Sequence, residues 1–214
     1  MEEEIQIIST ETRKEKIINF FSKNKKILIY LAVVILIIPI SIFSFEIYKD
    51  GKQKSLSKKY NTAVIDFKNG DKSNVLDQMI KIIEVKNTTY SPLAFYYLLD
   101  NNLINSKEEI NKYFDLIIND TGLNKEMKEL NIFKKGLYNS DVSDENELLA
   151  ILNPILKSES IWKSHALFLM AEYYFAQNQN QKSKEFFEKI IVIENTNPSI
   201  KAKAQKRLRA NFSE

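Results

Sequence analysis

No cysteine occurs among the 214 residues, which removes disulfides, thiolate metal sites and cysteine nucleophiles together. That absence fits a reducing or an oxidising compartment equally well. Histidine is almost as scarce: His165 stands alone, which excludes multi-histidine metal sites and disfavours triad chemistry. Glycine and proline number four each, too few for an all-β chain built on tight turns. Excess charge of one sign is also lacking. The formal net charge is only +3, so no electrostatic footprint points to nucleic acid.

Charge is missing altogether from one long stretch, in a chain whose composition is 28% charged. The run Ile27–Phe45, ILIYLAVVILIIPISIFSF, contains no Asp, Glu, Lys or Arg. At the helical rise it spans roughly 28 Å, close to the ~30 Å hydrocarbon core of a bilayer. A core helix of a soluble domain carries a polar stripe at helical period. Here the polar groups are Tyr30 near one end and Ser41 and Ser44 near the other. The run reads as a transmembrane helix. Pro39 is expected to kink it, a break that membrane spans tolerate. A cleaved signal peptide is the alternative. A long charged segment precedes the run and no clear small-x-small site follows it, which favours the anchor.

The layout expected from these features is a tail over 1–26, the membrane span over 27–45, a helical linker over 46–55 and a helical-repeat domain over 56–214. In the tail, Thr12 and Glu15 have capping-box spacing, and Ile17, Ile18, Phe20 and Phe21 cluster on one helical face among lysines. That segment is either an interfacial helix or the start of the span. Basic residues within fifteen positions of the span are Arg13, Lys14, Lys16, Lys23, Lys25 and Lys26 on one side. On the other they are Lys49, Lys52, Lys54, Lys58 and Lys59. This is nearly a tie, with the lysines closest to the span favouring a cytoplasmic N-terminus.

Beyond the span the chain reads as helix after helix, with apolar residues at i, i+3 and i+4. Ser91-Pro92 and Asn197-Pro198 pair an N-cap with proline at the first helical position. Ser106 with Glu109 and Asp144 with Glu147 have capping-box spacing, and Asn124 and Asn180 are further expected caps. The fold class is all-α: one transmembrane helix, then a tetratricopeptide-like α-solenoid of about four helical hairpins and a C-terminal capping helix over Pro198–Phe212. The clearest unit is Leu167, Met170, Ala171, Tyr174, Ser183, Phe187 and Ile190, with the spacing of the tetratricopeptide signature. Laying its small position on Leu98 aligns Ala94, Ile110, Phe114 and Ile117. Laying it on Ala63 aligns Val75, Met79 and Ile82. The third unit, near Lys125–Tyr138 and Glu145–Lys157, is degenerate, with Pro154 ending or bending its second helix.

A charged tail, one span and a helical repeat that follows almost at once resemble a known family. The likeness extends to Ile161-Trp162-Lys163-Ser164-His165-Ala166 opening the strongest repeat. It includes Glu194-Asn195-Thr196-Asn197-Pro198 leading into a basic last helix. The chain is similar to the YfgM-type ancillary subunits of the bacterial SecYEG translocon. The resemblance implies a protein of the bacterial inner membrane, with its N-terminus in the cytoplasm and its repeats in the periplasm. It implies translocon subunits, periplasmic chaperones or translocating peptides as partners.

Catalytic, cofactor-binding and metal-ligating residues are not expected. Asn69-Gly70-Asp71 and Thr121-Gly122 are turns and not phosphate loops. Glu108 and Glu109 belong to a first helical turn, where acids favour the helix dipole. His165 and Trp162 read as packing residues. Binding is the better case. By repeat register the groove-facing residues are Tyr60, Val64 and Phe67 in the first unit, Phe95 and Leu99 in the second, and His165, Phe168, Glu172 and Phe175 in the last. Such a groove suits an amphipathic helix or an extended apolar peptide. The competing reading buries these aromatics against a neighbouring unit or the last helix. The function expected is a non-enzymatic, membrane-anchored protein-interaction module. A scaffold for envelope or division assembly, an enzyme on a helical scaffold and an inverted topology are the alternatives. Helix is expected to continue past the span through Glu46–Asp50, with Gly51 as a hinge.

Overall fold

The structure, a computed structural model, describes residues 14–16, 18–194 and 196–212. Among the described residues there are nine long helices and no strand: α1 (Lys25–Lys68), α2 (Lys72–Glu84), α3 (Tyr90–Asp100), α4 (Lys107–Asp120), α5 (Lys125–Asn139), α6 (Glu145–Leu156), α7 (Lys163–Ala176), α8 (Asn180–Val192) and α9 (Pro198–Phe212). Residues 18–23 are also helical, and the turn at Asn24 separates them from α1. The capping box at Thr12, the position Ile17 and the position Asn195 lie outside the described residues.

The chain forms two compact units, Met1–Leu56 and Ser57–Glu214. In the first, α1 is long and apolar enough to cross a bilayer, and none of its apolar segment is buried. Ile27, Leu36 and Phe45 are each about two-thirds exposed. Side chains of this kind gain roughly 1.5–3 kcal/mol each on leaving water, so a run of them left in water opposes solubility strongly. Pro39 lies within the helix. It cannot donate to the carbonyl of Ile35, and the Ser41 hydroxyl donates to Ile37 O at 2.9 Å one turn away. Gly51 also lies within α1, so the chain does not leave the helical conformation where a hinge was expected.

In the second unit local chemistry sets the helix ends. Asp71, Ser106, Asn124 and Asp144 each accept a backbone N–H three residues on, from Asn74, Glu109, Met127 and Glu147. Asn197 accepts from Ser199 and Ile200. Two expected caps fall elsewhere. Ser91 is inside α3, where its hydroxyl accepts from Asn87 N and donates to Ile82 O of α2 at 2.9 Å, while the Asn87 side chain accepts from Thr89 and Tyr90. Pro92 is accordingly the third helical residue. Asn180 is the first residue of α8, and the cap position, Gln179, makes no side-chain cap bond.

Three helices end alike. After α1, α3 and α7, a residue with positive φ (Gly70, Asn102, Asn178) turns the chain. The next N–H reaches back to Asp66, Leu98 and Tyr174 respectively. This is the Schellman closure, which Gly and Asn tolerate best.

From α2 to α9 each helix packs on the next, and α5 meets α7 and α7 meets α9 as well. Every residue of the tetratricopeptide-like pattern aligned above is buried, from Ala63, Val75 and Met79 to Phe187 and Ile190. Ser183 tolerates complete burial because its hydroxyl donates to Ala171 O at 2.9 Å. Helices α5 and α6 approach closely at Gly136, where a Cβ would stand 2.4 Å from Cδ2 of the fully buried Leu152. Pro154 sits in the last turn of α6, which ends two residues later.

Candidate functional site

The expected groove residues do not form one open surface. In α1, Tyr60 packs on Tyr90 and Tyr97 of α3, each at 6.1 Å between ring centres, and Phe67 packs edge-on to Tyr97 at 5.6 Å. Val64 and Leu99 are half-buried. Phe95 is a correction. It is fully buried, 4.8 Å from Phe114 of α4, and cannot touch a ligand. The reason lies in three consecutive aromatics, Phe95-Tyr96-Tyr97, which sweep most of the circumference of α3. The ring without a polar tip goes inward, and the Tyr96 hydroxyl finds a partner by donating to Asn131 Oδ1.

In α7 the expected residues meet neighbouring helices. Phe168 packs on Phe187 at 5.5 Å, and Phe175 lies 6.1 Å from Phe212 of α9. Glu172 accepts two hydrogen bonds from Arg207 of α9, at 2.7 Å from Nε and 2.6 Å from Nη2. His165 sits 5.8 Å from Phe133 of α5 and 5.2 Å from Trp162, which itself stacks on Phe133. Nδ1 of His165 and Nε1 of Trp162 are buried without a hydrogen-bond partner among the described residues. Burial, with a smaller contribution from Lys203, holds the His165 pKa below the ordinary histidine value.

Among the described residues, clefts open between several pairs of helices. The most apolar, about 430 Å³, lies between α3 and α5 and is lined by Pro92, Leu93, Tyr96, Leu123, Met127, Leu130 and Lys134. Leu93 and Met127 are more than two-fifths exposed there. Its wall is fixed by polar bonds: Tyr96 donates to Asn131 Oδ1, Asn131 donates to Met127 O at 2.7 Å, and the Lys134 ammonium sits 3.8 Å above the Tyr96 ring. Burial first, and then the charge of Asp100, raise the Tyr96 pKa, so the phenol is a proton donor throughout the physiological range.

A second cleft, about 450 Å³, lies between α7 and α9 and is lined by Phe168, Glu172, Lys203, Lys206, Arg207 and Ala210. A third, about 500 Å³, is bounded by α4, α5 and α6, with the Lys135–Asp115 ion pair at 2.7 Å on its rim. Among the described residues no three His, Asp or Glu side chains converge as a metal site requires. A polar cluster centres on Glu145, which accepts from Tyr174 Oη at 3.0 Å and from Lys182 Nζ at 2.9 Å. The Lys182 bond, then the Tyr174 bond, hold its pKa low. The cluster ties α6, α7 and α8 together.

Leu93, Tyr96, Met127, Lys134 and Arg207 escaped the sequence reading, which places Lys203 and Lys206 only on the polar outer face of the capping helix and not in a cleft. One signal could have found two of them. Tyr96 and Asn131, like Glu172 and Arg207, are complementary groups 35 residues apart, close to the period that the sequence pattern leads one to expect. Comparison with protein-family models, with curated proteins and with solved structures gives no match.

Proposed function

We propose that this chain is a single-pass membrane protein whose helical domain is a tetratricopeptide-like stack that binds other proteins and performs no chemistry of its own. The observation that carries the repeat reading is a set of contacts at separations of 34 to 37 residues. Lys86 with Asp120, Tyr96 with Asn131, Glu172 with Arg207, and Glu145 with Lys182 are 34, 35, 35 and 37 residues apart. In a stack of units near 34 residues long, equivalent positions of successive units are neighbours, and such spacings follow directly. Buried positions at Ala63, Leu98, Gly136, Ala171 and Ala204 support the same period. Gly136 supplies the small position of the unit whose register was degenerate. In such a stack the first helices of successive hairpins line one face, and the clefts at α3/α5 and α7/α9 belong to it.

An anchor formed by Ile27–Phe45 confines the binding domain to a membrane surface and raises its effective concentration towards other membrane proteins. With the likeness to YfgM-type subunits, this favours an ancillary role beside the bacterial translocon, with the N-terminus in the cytoplasm and the domain in the periplasm among chaperones. Cross-linking from Leu93→Cys in membranes, followed by purification in mild detergent, tests the role. Translocon subunits or periplasmic chaperones are the expected adducts. Recovery of cytoplasmic proteins alone would overturn both partner and topology.

A further inference from the structure

We propose that the cleft between α7 and α9 is a docking site for an acidic, apolar-containing peptide segment of a partner protein. The proposal rests on the protein-binding reading above and assigns the ligand chemistry of one of its clefts. Helix α9, PSIKAKAQKRLRANF, carries five basic residues and no acidic one. Ile200 and Ala204 are its buried residues. Among the described residues lining the cleft the only carboxylate is Glu172, and both its oxygens are taken by Arg207. Lys203 and Lys206 on the rim are exposed and have no ion pair among the described residues. The described residues therefore give this site a positive field, and Lys203 is close enough to contribute to the lowering of the His165 pKa.

Charge alone would suit any anion. The floor narrows the choice, because Phe168 and Ala210 are apolar and the lysine stems add aliphatic surface. A free phosphate or a headgroup would leave that floor unfilled. A peptide alternating carboxylate and apolar side chains covers the floor and places acids against Lys203 and Lys206 at once. Pre-pairing of Glu172 by Arg207 removes the one group that would repel it.

The test uses the full chain in nanodiscs of neutral phosphatidylcholine. Two fluorescent peptides are titrated by anisotropy, one alternating glutamate with leucine and one with glutamine replacing every glutamate. The glutamate peptide should bind at least about tenfold more tightly, a preference that fades with added salt. Lys203→Glu/Lys206→Glu should abolish the preference, whereas Lys68→Glu/Lys81→Glu, the same charge change on exposed positions of α1 and α2, should keep it. Lys203→Gln/Lys206→Gln provides a milder variant, and circular dichroism checks that each variant is folded. Equal binding of the two peptides, or an unchanged preference in the α9 variants, overturns the proposal and leaves the protein-binding reading to its own cross-linking test. It is equally overturned if neither peptide binds while vesicles of anionic phosphatidylglycerol bind in a Lys203- and Lys206-dependent way.

Discussion

Replacing Gly136 by alanine should destabilise the domain, against the ordinary sign for such a change inside a helix. In an open helix, glycine to alanine gains about 1 kcal/mol of propensity. At position 136 the new Cβ would meet Leu152 Cδ2 at 2.4 Å and Cγ at 3.0 Å. Leu152 is fully buried, so its side chain cannot swing away without displacing core neighbours. Overpacking of this kind costs typically about 1–3 kcal/mol, which outweighs the propensity gain and leaves a net loss near 1 kcal/mol. For a domain of this size that lowers Tm by about 2–4 °C. Leu152→Ala alone should cost about 2–5 kcal/mol through the cavity it leaves. In that background the clashing atoms are gone, and Gly136→Ala should become favourable by about 1 kcal/mol, a change of sign. Urea unfolding of the full chain in mild detergent, followed by the fluorescence of the sole tryptophan, Trp162, measures both legs of the cycle. If Gly136→Ala stabilises the wild type as much as it stabilises Leu152→Ala, α5 and α6 do not approach as described.

Asn111 and Asn139 exchange side-chain hydrogen bonds at 3.1 and 2.8 Å between α4 and α5, and Asn139 is buried. Asn139→Leu should cost about 1–3 kcal/mol by leaving Asn111 Oδ1 without a donor, while the double change to leucine should recover much of it, and urea midpoints will show which holds. His165 has a lowered folded pKa, so the unfolded chain takes up its proton first as pH falls. Its contribution is complete above its unfolded pKa, about 6.5, and is lost as pH drops from there towards the folded value. Melting curves of His165→Gln should therefore lose less stability than wild type over that interval, and parallel losses would contradict the assignment. Ile35→Arg with Leu36→Arg places two charges mid-span at about 2.5–3.5 kcal/mol each. Carbonate extraction should then release the variant but not the wild type, and release of both would dismiss the anchor.

Helix content, the membrane-length run and most caps were legible because each depends on residues within one turn of each other. Asp144 with Glu147, or Asn197 with Pro198, needs no distant partner to act as it does. The cap assigned to Ser91-Pro92 failed for the opposite reason. The Ser91 hydroxyl satisfies Ile82 O on the preceding helix, a demand that only the hairpin creates. Phe95 failed likewise, since its neighbours Tyr96 and Tyr97 carry the same apolar bulk. Only contact with Phe114 on one side and Asn131 on another decides which ring turns inward.

By itself, then, the sequence determined an all-helical chain with one uncharged run long enough to cross a bilayer. It also marked the set of small and aromatic residues that would be buried, because periodicity and charge are local quantities. Tertiary structure alone decided what those helices leave open. Phe168, Glu172 and Phe175 meet α9, the α3/α5 cleft gathers Leu93 and Met127 from segments more than thirty residues apart, and Lys203 and Lys206 stand over an apolar floor. Which face of a helix remains accessible depends on what packs against it, and that partner is another helix, remote in the chain from the residues of the face itself.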